Sequence, residues 1–201
     1  MIPVAFLYGD YACPHTYLVD ARLGLLASEG IVSVSWRPIL TYGGGSADDW
    51  LALADDDAQA EAVAQELSRA AAQLGLTLIL PEAPPATALA LQASEFARDC
   101  GSVDWARLHS ALFRAVFVDG VDVGVADDLQ AVAESAGIDA IGLQASLDDG
   151  RYKTALEEAE AEATRYDIGA TPTVLIGKFK LVGSAPIDVL RSTIERASTS
   201  E

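Results

Sequence analysis

The chain carries signals for β-strands near its two ends and almost none between them. About residues 1–42 and 169–201 alternate short apolar runs with amphipathic segments. About residues 43–168 show helical patterns throughout. Half of an α/β sheet at each end of one chain predicts a single sheet that both ends complete, with a helical insertion between the two halves.

The N-terminal part predicts a strand, a helix and a second strand. The run "IPVAFLY" favours a buried strand, a helical pattern covers residues 13–29, and "IVSVSW" then alternates apolar and polar residues. A unit of this kind is most often a right-handed parallel crossover. We expect its first strand, Ile2–Tyr8, to pair also with a strand near Thr173–Ile176 in one mixed sheet.

The rest of the chain predicts helices followed by a hairpin. Helical patterns run from Asp48 to Leu74 and again from Ser102, and "TPTVLIG", "KFKLVG" and "APIDVLRSTIERA" predict two strands and a closing helix. We expect the helices of the insertion to cover one side of the sheet. Cys100 is expected to be a buried structural thiol and His109 to lie on a helix surface. Four aromatic side chains are expected in the core: Trp36, Trp105, Phe113 and Phe117.

Composition disfavours several classes of function. The net charge of −17 disfavours contact with a nucleic-acid backbone, because binding would bring repulsion instead of counterion release. No apolar run is long enough for an ordinary membrane span, and the N-terminus shows no basic region or small-residue cleavage site. We therefore expect a cytoplasmic protein that binds neither nucleic acid nor membrane. Two cysteines are too few for a disulfide framework, and with two histidines no metal site is expected.

Four motifs in order along the chain resemble those of a known family. They are "DYACPHTY" after the first strand, "WRP" after the second, "ALFRAVFVDGVDVG" among the helices and "GATPTVLIG" before the hairpin. The chain resembles the DsbA-like proteins of the thioredoxin fold, and most closely the FrnE-type branch, grouped with 2-hydroxychromene-2-carboxylate isomerases and kappa-class glutathione transferases. The resemblance implies an α/β, thioredoxin-like fold with a large all-helical insertion. Residues 1–42 and 169–201 would form the thioredoxin-like domain and residues 43–168 the helical insertion subdomain.

The resemblance also implies roles for the residues after the first strand. Cys13 matches the attacking cysteine at the N-terminus of the first helix. Pro14 and His15 match the dipeptide between the two cysteines of the motif Cys-Pro-His-Cys. Thr16 departs from that motif, because it stands where the resolving cysteine would be. Activity as a dithiol oxidase is therefore not expected.

Two residues before the hairpin complete the implied site. Pro172 matches the family's cis-proline, which faces the active-site cysteine. Thr171 is the residue whose backbone would lie beside a bound peptide, as an added strand. The catalytic residues implied are therefore those of the Cys-Pro-His-Thr motif, and the substrate-binding residues are Thr171 and Pro172.

Elementary chemistry predicts that Cys13 is reactive. A thiol reacts as its thiolate, and a helix N-terminus favours that form through its unpaired N–H groups and partial positive charge. A protonated His15 would favour the thiolate further, and the Thr16 hydroxyl could donate a hydrogen bond to the sulfur. We expect Cys13 to be alkylated well below about pH 8 and much faster than Cys100.

Three functions remain open. The first is a thiol–disulfide oxidoreductase that acts on protein or peptide disulfides through one cysteine, with release by glutathione or another small thiol. The second is a glutathione-dependent transferase or isomerase, although the serine that those relatives use in place of Cys13 is absent. The third is a peptide-binding module without turnover. No bound cofactor is expected for any of them, and glutathione would be a co-substrate.

Overall fold

The computed structural model describes residues 2–41 and 57–199. In these residues helices surround a central β-sheet. Within these residues the four strands are β1 (Val4–Gly9), β2 (Ser33–Pro38), β3 (Thr173–Ile176) and β4 (Phe179–Val182). The helices are α1 (Pro14–Ser28), α2 (Asp57–Gln73), α3 (Ala88–Cys100), α4 (Ser102–Arg114), α5 (Ala126–Ser135), α6 (Ala140–Asp148), α7 (Lys153–Arg165) and α8 (Ile187–Ser198). A short π-helical turn, Ala115–Asp119, extends α4.

The sheet joins the two ends of the chain, as predicted. Its order is β2-β1-β3-β4, with β1 parallel to β2 and antiparallel to β3. Leu7 in β1 lies opposite Trp36 in β2 and Val174 in β3. The predicted hairpin is present, since β3 and β4 are antiparallel neighbours. The sheet is therefore mixed, and the fold is the α/β, thioredoxin-like arrangement that the sequence predicted.

Helices cover both faces of the sheet, so the prediction that the insertion covers one side is wrong. Successive side chains of a strand point to opposite faces. Ala5 and Leu7 belong to the largest buried cluster, whereas Phe6 and Tyr8 pack in a separate cluster with Ala163 of α7. Both sets of β1 side chains are apolar or aromatic, so helices shield both faces of this strand from solvent.

The largest core extends from the sheet into the helical insertion. Leu7 of β1 shares one buried cluster with Leu91 of α3 and with Leu108 and Leu112 of α4. Burial of such side chains stabilises the fold by roughly 1.5–3 kcal/mol each. The division into a thioredoxin-like domain (1–42 and 169–201) and a helical subdomain (43–168) stays a prediction.

Most helix boundaries agree with the predicted patterns. Helix α1 begins one residue after Cys13 and ends before Gly30, whose φ of +76° suits glycine. The pattern predicted from Asp48 to Leu74 matches α2 from Asp57 onward, and its first part lies outside the described residues. Among the residues described, no helix is long and apolar enough to cross a membrane.

Candidate active site

Cys13 lies where β1 gives way to α1. It is the N-cap of α1 with an extended backbone (φ −92°, ψ 111°), and Pro14 follows in the first helical turn. Its amide donates to Asp10 O at 3.1 Å, and its carbonyl accepts from Tyr17 N at 3.2 Å. The sulfur lies 3.5 Å from Thr171 O and its residue is only 2% exposed. The thiol thus faces the loop before β3 from the N-terminus of a helix.

The carboxylate of Asp10 fixes the loop around Cys13. Asp10 is fully buried. Its Oδ1 accepts from Ala12 N at 3.1 Å and from the Thr87 hydroxyl at 2.6 Å, and its Oδ2 accepts from Thr41 N at 2.7 Å. Hydrogen bonds to an ionised acceptor are stronger than neutral ones. Asp10 therefore ties the cysteine loop to the segment after β2 and to the start of α3.

The predicted site did not include Asp10, Thr41 or Thr87. They come from three separate parts of the chain, and their spacing matches no short motif. The one local signal is the position of Asp10, at the end of a strand and three residues before the cysteine. A short polar residue there is suited to accept backbone N–H groups of the turn that follows.

Thr16 occupies the first turn of α1 and is completely buried. Within the described residues its hydroxyl has no hydrogen-bond partner in this arrangement. The space for it comes from Gly9, since a Cβ at that position would lie 2.7 Å from the Trp36 ring and closer still to the Thr16 methyl group. A strand residue with a side chain would therefore displace the threonine that replaces the resolving cysteine.

The expected lowering of the Cys13 pKa is wrong. Burial of the sulfur raises the pKa of the Cys13 thiol, and the negative charge of Asp10 raises it further. Hydrogen bonds that the Thr16 hydroxyl, the Thr16 amide and the Thr171 hydroxyl can offer to a thiolate oppose this effect without reversing it. The helix N-terminus supplies donors, but desolvation outweighs them in the closed site.

His15 does not supply the positive charge that would favour the Cys13 thiolate. Burial is the largest cause that lowers the pKa of its imidazole, which favours the neutral form. Its Nδ1 is buried and, among the described residues, has no hydrogen-bond partner. A neutral imidazole beside Cys13 cannot stabilise a thiolate as an imidazolium would.

The loop before β3 provides the other side of the site. The peptide bond between Thr171 and Pro172 is cis, as predicted. The Thr171 hydroxyl lies 3.1 Å from that of Thr41. The structure thus brings Cys13, Thr16 and the Thr171–Pro172 peptide together, while their roles in chemistry stay predictions.

Two residues outside the site have environments opposite to those predicted. Cys100 is exposed at the end of α3, although a buried thiol was expected. His109 is 5% exposed, although a surface position was expected. His109 stands four residues before the buried Phe113, on the same face of α4. That spacing was the signal for its burial.

A comparison with known families now decides the relationship. The family described as a DSBA-like thioredoxin domain matches residues 6–195. The chain belongs to this family. One relative, the uncharacterized protein YwbO of Bacillus subtilis (strain 168), is 27% identical to this chain over 194 residues, which cover 94% of each chain.

Solved structures have the same fold as this DsbA-like chain. The probable DsbA oxidoreductase SCO1869 from Streptomyces coelicolor superposes with a TM-score of 0.86 at 23% identity, over 99% of this chain and 91% of that one. A 2-hydroxychromene-2-carboxylate isomerase superposes with a TM-score of 0.80 at 19% identity, over 97% and 96% of the two chains. One fold therefore accommodates both a probable oxidoreductase and an isomerase.

No resident metal centre follows from the side chains described. Within residues 2–41 and 57–199, no group of three or more His, Cys, Asp and Glu residues could hold a metal ion. The groups at this site are one thiol, several hydroxyls, an imidazole and the carboxylate of Asp10.

Proposed function

We propose that this protein is a thiol–disulfide oxidoreductase that acts through Cys13 as its single active-site thiol. The observation that carries the proposal is the position of the Cys13 sulfur, at the start of α1 and 3.5 Å from Thr171 O, with a threonine at the fourth position of the motif. The other cysteine, Cys100, ends α3 on the surface. Net oxidation by an internal dithiol is therefore outside its chemistry.

The reaction begins with a thiol–disulfide exchange at Cys13. The Cys13 thiolate attacks a disulfide of a protein or peptide, forms a mixed disulfide, and releases the other substrate sulfur as a thiolate that takes up a proton. A second thiolate then attacks the mixed disulfide and restores Cys13. If that thiol belongs to the substrate, the net result is isomerisation. If it is glutathione, a second glutathione completes the reduction and leaves as glutathione disulfide.

The raised pKa of Cys13 shapes both steps. A thiol of higher pKa is less ionised at neutral pH but is the stronger nucleophile once ionised, and it is the poorer leaving group. The first step should therefore accelerate as the pH rises above neutrality, because more thiolate forms. The second step should be slow, because Cys13 leaves the mixed disulfide reluctantly. We expect a long-lived mixed disulfide.

Trapping that mixed disulfide tests the proposal. The wild-type protein and a Cys100→Ser variant are incubated with glutathione disulfide and with a disulfide-containing peptide, and intact and peptide masses are measured. Both proteins should form an adduct at Cys13, and glutathione should remove it. A Cys13→Ser variant should form none at that position. An adduct on Cys100 alone, or none on the native protein across the neutral and mildly alkaline range, would contradict the proposal.

One observation favours a second candidate, a glutathione-dependent isomerase or transferase. The Thr16 hydroxyl is buried beside the Cys13 thiol, whose pKa it helps to lower, and in the part of the chain described it makes no hydrogen bond of normal geometry. Such a hydroxyl could hold the sulfur of a bound glutathione. In that case Cys13→Ser would keep activity on a small substrate with glutathione, whereas Thr16→Val would lose it. The oxidoreductase proposal expects the opposite order, since it requires the Cys13 sulfur.

A further inference from the structure

The loop that carries Cys13 is anchored in the helical insertion through Tyr11. Tyr11 is fully buried, stacks on Trp36 with ring centroids 5.2 Å apart, and meets Phe113 of α4 edge-on at 4.9 Å. Its hydroxyl donates to Ser94 of α3 at 2.9 Å. The residue two positions before the thiol is thus held by helices α3 and α4 and by Trp36 of β2.

The same hydroxyl lies 2.8 Å from His109 Nδ1. The other ring nitrogen of His109, Nε2, lies 3.1 Å from Asp20 Oδ1. Asp20 belongs to α1, the helix that begins directly after Cys13. A chain of three side chains, Tyr11–His109–Asp20, therefore connects the residues before the thiol to the helix after it, through α4.

The surroundings of His109 restrict the movement of these three side chains. Its ring stacks on Trp105 at 4.5 Å and meets Trp36 edge-on at 4.8 Å. The Trp105 indole N–H donates to Ser94 Oγ at 3.1 Å, so the partners of Tyr11 are themselves held in place. A buried hydrogen-bond network that is well satisfied favours one arrangement of its members. The position of Tyr11 is thus determined on two sides.

We propose that Tyr11 and His109 are positioning residues for the reaction at Cys13. Their hydrogen bond keeps the Cys13 sulfur in its buried position beside Thr171. The Cys13 amide donates to Asp10 O, so a shift of the backbone at Tyr11 moves the residues on both sides of it. The sulfur would then leave its buried position 3.5 Å from Thr171 O. A role of these residues in the reaction rests on the proposed function, but the placement of the thiol can be tested without turnover.

The principal variant is Tyr11→Phe, which keeps the ring and removes the hydroxyl. The alkylation of Cys13 by iodoacetamide should become about fivefold to tenfold faster at neutral pH, because the thiol is more exposed and ionises more readily. Its pH profile should move toward lower pH. Peptide mass spectrometry separates Cys13 from Cys100, whose rate should not change. The nearby groups that could also shape the profile are Asp10 and His15.

Ser94→Ala is the matched control. It also removes a buried hydrogen bond of Tyr11 and lowers the melting temperature, but it leaves the bond between Tyr11 and His109 in place. The Cys13 profile of this variant should match that of the native protein. Equal acceleration in both variants, or none in Tyr11→Phe, would show that Tyr11 supports the fold in general and would overturn the inference.

His109 provides a second, independent pair of variants should Tyr11→Phe not fold. His109→Asn keeps an acceptor or donor near the position of Nδ1, whereas His109→Leu keeps neither. Fast alkylation in the leucine variant and near-native alkylation in the asparagine variant supports the inference, and equal rates in the two overturn it. If the variants show this pattern but the native protein forms no mixed disulfide, the proposed function is refuted and the positioning role of Tyr11 and His109 stands.

Discussion

The two cysteines lie at opposite ends of their helices, and the pKa of each thiol is raised by a different set of neighbours. Cys13 precedes the first turn of α1, and Cys100 is the last residue of α3. The pKa of each thiol is raised. A helix N-terminus favours a thiolate and a C-terminus disfavours it, so position alone would separate the two thiols. Their surroundings then act in different ways.

Burial is the largest cause of the raised pKa of both thiols. At Cys13 hydrogen-bond donors oppose this effect, whereas at Cys100 three carboxylates add to it. The sulfur of Cys13 is enclosed, with hydroxyl and amide donors beside it that oppose the raised pKa. Cys100 is exposed, and after partial burial of its sulfur the carboxylates of Asp104, Asp99 and Asp139 raise its pKa further. A site closed by packing can be opened by a substrate or by a mutation, and the donors then stabilise the thiolate. Among the residues described, no hydrogen-bond donor lowers the pKa of Cys100, and its acidic neighbours repel an anion.

The largest effect is expected where a second thiol is added to the first region. Thr16→Cys should form an internal disulfide with Cys13 under mild oxidation and gain dithiol oxidase activity, because the new thiol stands at the resolving position. Intact mass and oxidative refolding of a reduced substrate measure the two effects. Thr16→Ser is the control and should gain neither. Failure of the two thiols to pair would mean that the turn differs from that of dithiol relatives.

Removal of the negative charge of Asp10 should speed the reaction of Cys13 at neutral pH. Asp10→Asn keeps the size of the side chain and removes the charge that helps to raise the pKa of Cys13. The alkylation profile of Cys13 should move to lower pH, with a rate at neutral pH higher by about twofold to fivefold. Thr87→Val is the control, because it removes a hydrogen bond to the carboxylate and leaves its charge. If both variants shift the profile alike, loop movement and not charge is the cause.

The opposite sign is expected when a donor is removed. Thr16→Val replaces the hydroxyl with a methyl group of similar size and takes away one donor that lowers the pKa of Cys13. The profile should move to higher pH, with a rate at neutral pH lower by about twofold to fivefold. Thr16→Ser should stay close to the native profile. A faster reaction in the valine variant would show that the hydroxyl stabilises the neutral thiol.

The sequence predicted the sheet well because strand patterns are local and their pairing had few alternatives. Short runs typical of strands near both ends of the chain left β1 to pair with β2 and with β3, and the structure confirms both pairings. The second face of the sheet was missed. Phe6 and Tyr8 alternate with Ala5 and Leu7, and four consecutive nonpolar or aromatic residues in one strand indicate cover on both sides.

The site was predicted in position but not in electrostatics. The resemblance placed Cys13 near Thr171, and the structure agrees. The pKa of a thiol depends on how much solvent reaches it and on contacts that the fold creates, such as those by which Thr41 and Thr87 hold the Asp10 carboxylate. The spacing of residues around a cysteine carries no record of either. Local reasoning therefore accounted for the helix N-terminus and missed the burial that outweighs it.

The smallest expected effect concerns the second region. Coulombic repulsion between exposed groups weakens with salt, since the Debye length falls from about 30 Å at 0.01 M to about 3 Å at 1 M ionic strength. Raising the salt concentration should accelerate the alkylation of Cys100 by iodoacetamide, a neutral reagent, by up to about twofold, because exposed charges contribute little free energy. The rate at Cys13 should change less, since burial is the main cause of its raised pKa. Asp139→Asn should reproduce part of the effect at low salt and remove part of the salt dependence, because the asparagine can still cap α6. If salt instead accelerates Cys13 more than Cys100, charge and not burial governs the buried thiol, and the contrast between the two regions is reversed.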